Sequence, residues 1–397
     1  MKKLGLGLTI LALLGAVFWA TMGSDWRRLI SAMPTDANVL FWTQAQRDAG
    51  FRMIDRVPIL VKASDIPASN QVLDLPEGPA LTLPMDLDEY MASQRHVGLV
   101  IIHNGAIRLE RYGLDFEADD RWTSFSVAKS LTSTLVGIAV QEGHIESLDD
   151  PVSKYIPGLV NSAYDDVTVE QLLMMSSGVA WDETYTDPNS DVARFNNHVA
   201  EDGGSNLVSY MSQLSRAHPP GEVWNYSTGE TNLIGILVRE ATGRTLADYL
   251  SEKIWKPYGM QQDATWLLNE DGTEISGCCI QAATRDFARF GLFILGGAEI
   301  DGEQIVPENW IERATTKRIG YGRPGQGYGF QWWTYDTGAF AARGIFGQGI
   351  YLDPSRNLII ASNSSWSTAL GDVDGENPAR EAFYQAVVAA IDAEAAP

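Results

Sequence analysis

The chain has 397 residues, 45% of them hydrophobic, with 37 Gly and 17 Pro, which excludes a disordered, collagen-like or coiled-coil protein. Its 51 acidic and 29 basic residues leave a formal charge of −22, which repels phosphate backbones and argues against nucleic-acid binding. The length corresponds to about two to three domain-equivalents, ample for a well-buried core.

Lys2 and Lys3 precede a run without charges from Leu4 to Ser24. A positive start followed by an apolar stretch is the pattern of a signal peptide or an N-terminal membrane anchor, and this run reaches the minimum length for a spanning helix. Residues 1–23 are read as an uncleaved anchor in preference to a cleaved signal peptide. Either reading exports the rest of the chain: anchored in the inner membrane facing the periplasm or the outside, or periplasmic or secreted if cleaved. Nothing in the sequence sets the oligomeric state.

Residues 24–95 carry several Pro and no clear period, and are expected to pack on the main body as a lead segment. From His96 to Tyr112 two extended runs flank Asn104-Gly105, a strong hairpin signature. Residues 126–142 read as a helix ended by Gly143. Helical patterns dominate from about 165 to 260, at Val169–Met175, Thr231–Ala241 and Leu246–Trp255. Another helix is expected over Thr284–Leu295, and Pro307 looks like the first position of a short one. Strands return at Tyr328–Tyr335, Phe340–Ile345, Gly349–Leu352 and Leu358–Ser362, with Asp353–Asn357 as the last turn. A helix over about 378–393 closes the chain. This order predicts an α/β fold of the α+β type, one antiparallel sheet flanked by helices and split in sequence by a mostly helical insertion. The expected units are 96–160 with 265–397 as an α/β subdomain, and 161–264 as a helical one.

The two cysteines, Cys278 and Cys279, are adjacent. They lack zinc-ligand spacing and cannot form a disulfide framework, so two small buried thiols are favoured over a vicinal disulfide. The five histidines form no metal-binding pattern. His198 and His218 read as structural.

Ser126-Val-Ala-Lys129 is an S-x-x-K motif, and of the eight lysines only Lys129 has a Ser three residues earlier. On a helix these side chains share a face. Burial and the helix N-terminus both disfavour the lysine charge, and a neutral Lys beside a Ser is an activated nucleophile. Alone, the motif is better read as a Ser N-cap followed by a solvated Lys. Two further segments tip the balance. The turn Pro219–Gly229 places Tyr226 beside Ser227 and Thr228, and a buried phenol near a cation can carry protons. Ala342-Arg343-Gly344-Ile345 ends a strand where glycine permits close backbone approach.

On these residues the sequence resembles the serine hydrolases related to class C β-lactamases and penicillin-binding proteins. Ser126 and Lys129 match that family's first motif. Tyr226-Ser227-Thr228 matches its Tyr-x-Asn motif at Tyr, with Thr replacing Asn. Ala342-Arg343-Gly344 stands where Lys-Thr-Gly would be. The stretches Phe41–Phe51, Met174–Asp187, Thr242–Met260, Thr284–Gly291 and Gly344–Gln348 are most similar to the branch of 6-aminohexanoate-oligomer hydrolases and related esterases.

The resemblance implies a β-lactamase/transpeptidase-like fold and acyl transfer on a small-molecule ester or amide. Ser126 would be the nucleophile and Lys129 and Tyr226 the proton carriers. The Ser126 and Ile345 N–H groups would form the oxyanion hole. Trp181, Tyr185, Asp187 and Gly344 would lie near the substrate. No cofactor and no metal is implied. Two alternatives stand beside this reading: a β-lactamase or D-amino-acid peptidase, and a non-catalytic cell-wall binding protein. The first needs a third-motif lysine that Ala342 cannot supply. Trp332 and Trp333 read as packing residues on a strand.

Overall fold

The computed structural model describes residues 17–57, 61–201 and 203–395. Most of the run expected to anchor the chain lies outside them. Among the described residues no helix is long and apolar enough to cross a membrane.

The body is built on a seven-stranded antiparallel sheet. Its strands are β1 (His96–His103), β2 (Ala106–Tyr112), β3 (Gln326–Tyr328), β4 (Trp333–Tyr335), β5 (Phe340–Arg343), β6 (Gly349–Asp353) and β7 (Leu358–Ser364), in the order β2-β1-β7-β6-β5-β4-β3. The β1–β2 hairpin turns at Asn104 and Gly105, both at positive φ (52° and 78°), as a two-residue hairpin loop requires. Alternation along the strands divides the core. Leu99, Ile101 and Ile360 face one side, where Phe383, Val387 and Ile391 of the closing helix cover them. Val100, Ile102, Ile359 and Ile350 face the other, against Phe287 and Phe290 and the larger helical mass.

Four helices matter most: α1 (Ala128–Gln141), α2 (Thr228–Thr242), α3 (Thr284–Leu295) and α4 (Glu376–Ala395). Helix α1 is buried on all sides from Ala128 to Ala139. Two of its hydroxyls are satisfied across the core: Ser130 Oγ donates to Gln331 O (2.8 Å) and Thr132 Oγ1 to Ser276 O (2.9 Å).

Several boundaries differ from expectation. The run Tyr328–Tyr335 is two strands, because Gln331 at φ 64° breaks the extended backbone and reverses the phase of the residues after it. The Leu246–Trp255 helix becomes a π-helical turn from Ser251. Pro307 precedes the short helix Trp310–Thr315 rather than opening it. A second sheet, unforeseen from the sequence, pairs Lys62–Ile66, Ala264–Leu268, Ile280–Ala282 and Trp122–Thr123. It carries the turn into Ser126.

Candidate active site

Trp122–Thr123 pairs with Ile280–Ala282, and Ser124 N–H donates to Ile280 O (2.8 Å). The chain then turns through Phe125 at φ 41°, a region an L-residue rarely occupies. The Phe125 ring is wedged against Phe51 (4.9 Å) and Phe346 (5.4 Å), so packing holds the strained residue in place. Ser126 follows on the turn before α1, 8% exposed.

One helical turn on, Lys129 is 1% exposed. Its Nζ donates to Gly277 O (2.8 Å) and Thr228 Oγ1 (3.0 Å), and lies 5.2 Å from the centre of the Tyr226 ring. Burial pushes the Lys129 pKa down to about 7, with the Glu183 carboxylate opposing the shift. A neutral amine has two hydrogens, and two acceptors meet them here; the lone pair is left for a proton.

Tyr226 is set by its neighbours. Asn225 N–H donates to Met175 O (2.9 Å), and Ser227 caps α2 by accepting from Glu230 N–H (3.1 Å). The Tyr226 ring stacks on Trp333 (5.6 Å, 24°) and contacts Trp224 and Tyr328. Its hydroxyl lies on the Ser126 side, near enough for the serine to oppose its pKa shift. Burial, reinforced by Glu183, raises the phenol well above its ordinary value despite Ser126, so it is neutral at pH 7. Trp333, read as packing, therefore faces the site, whereas Trp332 packs into the core against Phe340 and Phe290.

The end of β5 closes against the Ser126 turn. A Cβ on Gly344 would meet Ser124 O at 2.6 Å and Phe125 Cβ at 3.0 Å, so only glycine lets these segments approach. Ile345 comes next. Among the described residues, neither Ser126 N–H nor Ile345 N–H has an acceptor within the protein. Both residues line a cavity of about 850 Å³. Its wall includes the apolar Leu40, Ile54, Val192, Phe195 and Leu267, while the charged Asp36, Lys62 and Glu270 are exposed.

Tyr185 also lines this cavity. Trp181 is buried beside it, packed on Phe195 and Tyr210. Asp187 accepts from Asn189 N–H (2.8 Å) and closes its own turn; neither Trp181 nor Asp187 is among the residues lining the cavity. Cys278 and Cys279, expected as free thiols, are joined as a vicinal disulfide in the cavity wall. Cys279 adopts φ 77°, which turns the adjacent side chains towards each other.

Sequence reasoning missed Glu183. Its carboxylate accepts from Thr228 N–H (2.9 Å), the Thr228 hydroxyl, Trp181 Nε1 and the Tyr185 hydroxyl (2.9 Å). The period-two spacing of Trp181, Glu183 and Tyr185, which sets alternate residues of an extended segment on one side, was the available clue.

The family model described as Beta-lactamase matches residues 86–385. A 6-aminohexanoate-dimer hydrolase from Paenarthrobacter ureafaciens is 28% identical over 303 residues, covering 72% of this chain and 76% of that protein. Among solved structures, a Bacillus anthracis protein provisionally named as a 6-aminohexanoate-dimer hydrolase superposes with a TM-score of 0.77 at 23% identity, over 89% of this chain and 95% of that one. An octameric penicillin-binding protein homologue from Pyrococcus abyssi superposes at 0.57 with 20% identity, over 75% and 76% of the two chains.

Proposed function

The chain belongs to the beta-lactamase family and is a serine hydrolase acting on amide or ester bonds, and on that premise we propose that its substrates are neutral esters or amides with an apolar acyl group, cleaved through a Ser126 acyl-enzyme. The observation that carries this reading is the buried Lys129 amine, with two acceptors for its two hydrogens, one helical turn from Ser126 and 5.2 Å from the centre of the Tyr226 ring.

Ser126 Oγ attacks the carbonyl carbon and gives up its proton to the Lys129–Tyr226 pair. The Lys129 amine, its pKa lowered by burial, can accept that proton, and the neutral Tyr226 phenol beside it can pass it on. The carbonyl oxygen becomes an oxyanion facing the Ser126 and Ile345 N–H groups; one such donor is typically worth ~100- to 1000-fold in kcat. Collapse expels the alkoxide or amine, which leaves with the proton. Water then repeats the sequence on the acyl-enzyme and releases the acid. The apolar cavity wall beside Ser126 supports an uncharged acyl group.

The β-lactamase alternative needs a cation for the substrate carboxylate. Ala342 offers none. Arg343 is held by Glu381 of α4 (2.6 Å) and by the Tyr335 hydroxyl. Steady-state assays with p-nitrophenyl butyrate and nitrocefin, on wild type and Ser126→Ala, test the reading. Ester turnover that vanishes in Ser126→Ala, with negligible nitrocefin turnover, is expected. A nitrocefin kcat/KM at or above the ester value would overturn it.

Export is part of this proposal: Lys2, Lys3 and the charge-free run from Leu4 support attachment of the chain to a membrane through residues 1–23.

A further inference from the structure

Thr228 stands where the motif it resembles carries Asn, and a hydroxyl offers one hydrogen and two lone pairs. The Thr228 hydroxyl accepts from Lys129 Nζ (3.0 Å) and passes its own hydrogen to the Glu183 carboxylate. The backbone N–H of the same residue donates to the other Glu183 oxygen (2.9 Å). Trp181 Nε1 adds a second donor on that oxygen, and the Tyr185 hydroxyl a second on the first. Four donors thus converge on a group that, when ionised, only accepts. The carboxylate also sits at the start of α2, where unpaired N–H groups and the helix dipole favour negative charge.

We propose that Glu183 is the positioning residue of this site, acting through the Thr228 hydroxyl to aim the Lys129 amine and tying the Trp181–Tyr185 segment to the start of α2. The inference rests on the reading of Ser126 as nucleophile and Lys129 as proton carrier, and deepens it. It separates two effects on Lys129. Burial strips the amine of its charge, and Glu183, one hydroxyl away, restores part of it. Glu183 therefore raises the pH at which the amine becomes free. The titratable groups around the pair are Tyr185 on the same segment, Tyr226 before α2 and Tyr328 on β3, all raised by burial and neutral at pH 7. Among the described residues, Glu183 is the one charged group that bears on Lys129.

The test is the pH profile of kcat/KM for p-nitrophenyl butyrate in Glu183→Gln, Thr228→Val and Thr228→Ser. Circular dichroism melts establish that each variant folds, and fluorophosphonate labelling counts active sites. In Glu183→Gln an amide NH2 can replace one oxygen, with both hydroxyls rotating to accept from it, so the connection survives without the charge. The acid limb should then move to lower pH by roughly half a unit to one unit, because the opposing charge is gone. The plateau should fall only a few-fold, because the connection that aims the amine survives. Thr228→Val breaks that connection, and should move the limb in the same direction with a larger loss of plateau. Thr228→Ser keeps the hydroxyl and should return the limb towards its wild-type position. A limb that stays put in both Glu183→Gln and Thr228→Val refutes the inference, as does a shift to higher pH. Should Glu183→Gln fail to fold, Thr228→Val against Thr228→Ser decides alone. Ser126→Ala separates the two levels. If it still hydrolyses the ester and labels, the nucleophile reading has failed. If it is inert while the limb is unmoved in both Glu183→Gln and Thr228→Val, only the positioning role has failed.

Discussion

Between about pH 5 and pH 9, an ester assay on the wild-type protein should titrate Lys129. The side chain is 1% exposed, and burial takes its pKa from 10.5 to about 7. At pH 7 about half of the molecules then carry a neutral amine, where an unperturbed lysine would leave only ~0.03% neutral; burial is worth ~1000-fold in available base. A base of depressed pKa is present above that value and lost below it. The logarithm of kcat/KM for p-nitrophenyl butyrate should therefore rise with unit slope up to about pH 7 and level off above. Lys129→Arg keeps a cation but cannot release its proton in this range, and should lose at least ~1000-fold on the plateau. Rates read at an isosbestic wavelength keep nitrophenol ionisation out of the profile. A profile flat down to pH 5, or an Arg variant within about tenfold of wild type, would refute the assignment of Lys129 as the proton acceptor.

Two other outcomes follow from the geometry. Gly344→Ala sets a Cβ 2.6 Å from Ser124 O, a backbone atom that cannot yield. The end of β5 must move off the Ser126 turn and take Ile345 N–H with it; kcat should fall by ~100-fold or more with KM little changed, and an unaltered kcat would remove Ile345 from the oxyanion hole. Full-length protein should fractionate with membranes, and a chain starting at Ser24 should not; recovery of the full-length protein in the cytosolic fraction with its N-terminus intact would defeat the export proposal.

What could be read from the sequence was local. Asn104-Gly105 specifies its turn through two positive φ values, and strand alternation on either side needs no distant partner. Ser126 and Lys129 are three residues apart on a helix, so their proximity is a property of helical spacing. Tyr226 was legible because Ser227 and Thr228 next to it are helix-start residues. The unread parts depend on contacts across the chain. The second sheet joins strands of two to five residues from four separate regions, too short for a period to register. Trp333 turned from packing to site because Gln331 takes up a left-handed conformation, which changes the phase of the following strand. Glu183 looks like one more acid in a chain with 51 of them until Thr228, 45 residues later, meets it.

The departure at the third motif is explained by what lies behind β5. Arg343 is paired to Gly349 of β6 in the sheet, and its side chain runs towards α4, where Glu381 and the Tyr335 hydroxyl hold it. Its guanidinium lies 5.8 Å from the Trp333 ring, which in turn stacks on Tyr226. Drawing Arg343 out to meet a substrate carboxylate would strand Glu381, half-buried, and strip the support from the ring that fixes Tyr226. Leaving that partly exposed carboxylate without its partner, and the Trp333 ring without its cation, offsets what a charge-assisted hydrogen bond to an anionic substrate, ~1.5–3 kcal/mol, would return. Only Ala342 occupies the position of the family's lysine, and it is 1% exposed. The strand that elsewhere in the resemblance supplies a free cation here spends its cation on holding the aromatic side of the site together. On the proposed reading, that leaves the apolar wall of the cavity beside Ser126 to select the substrate, and it favours an acyl group without charge.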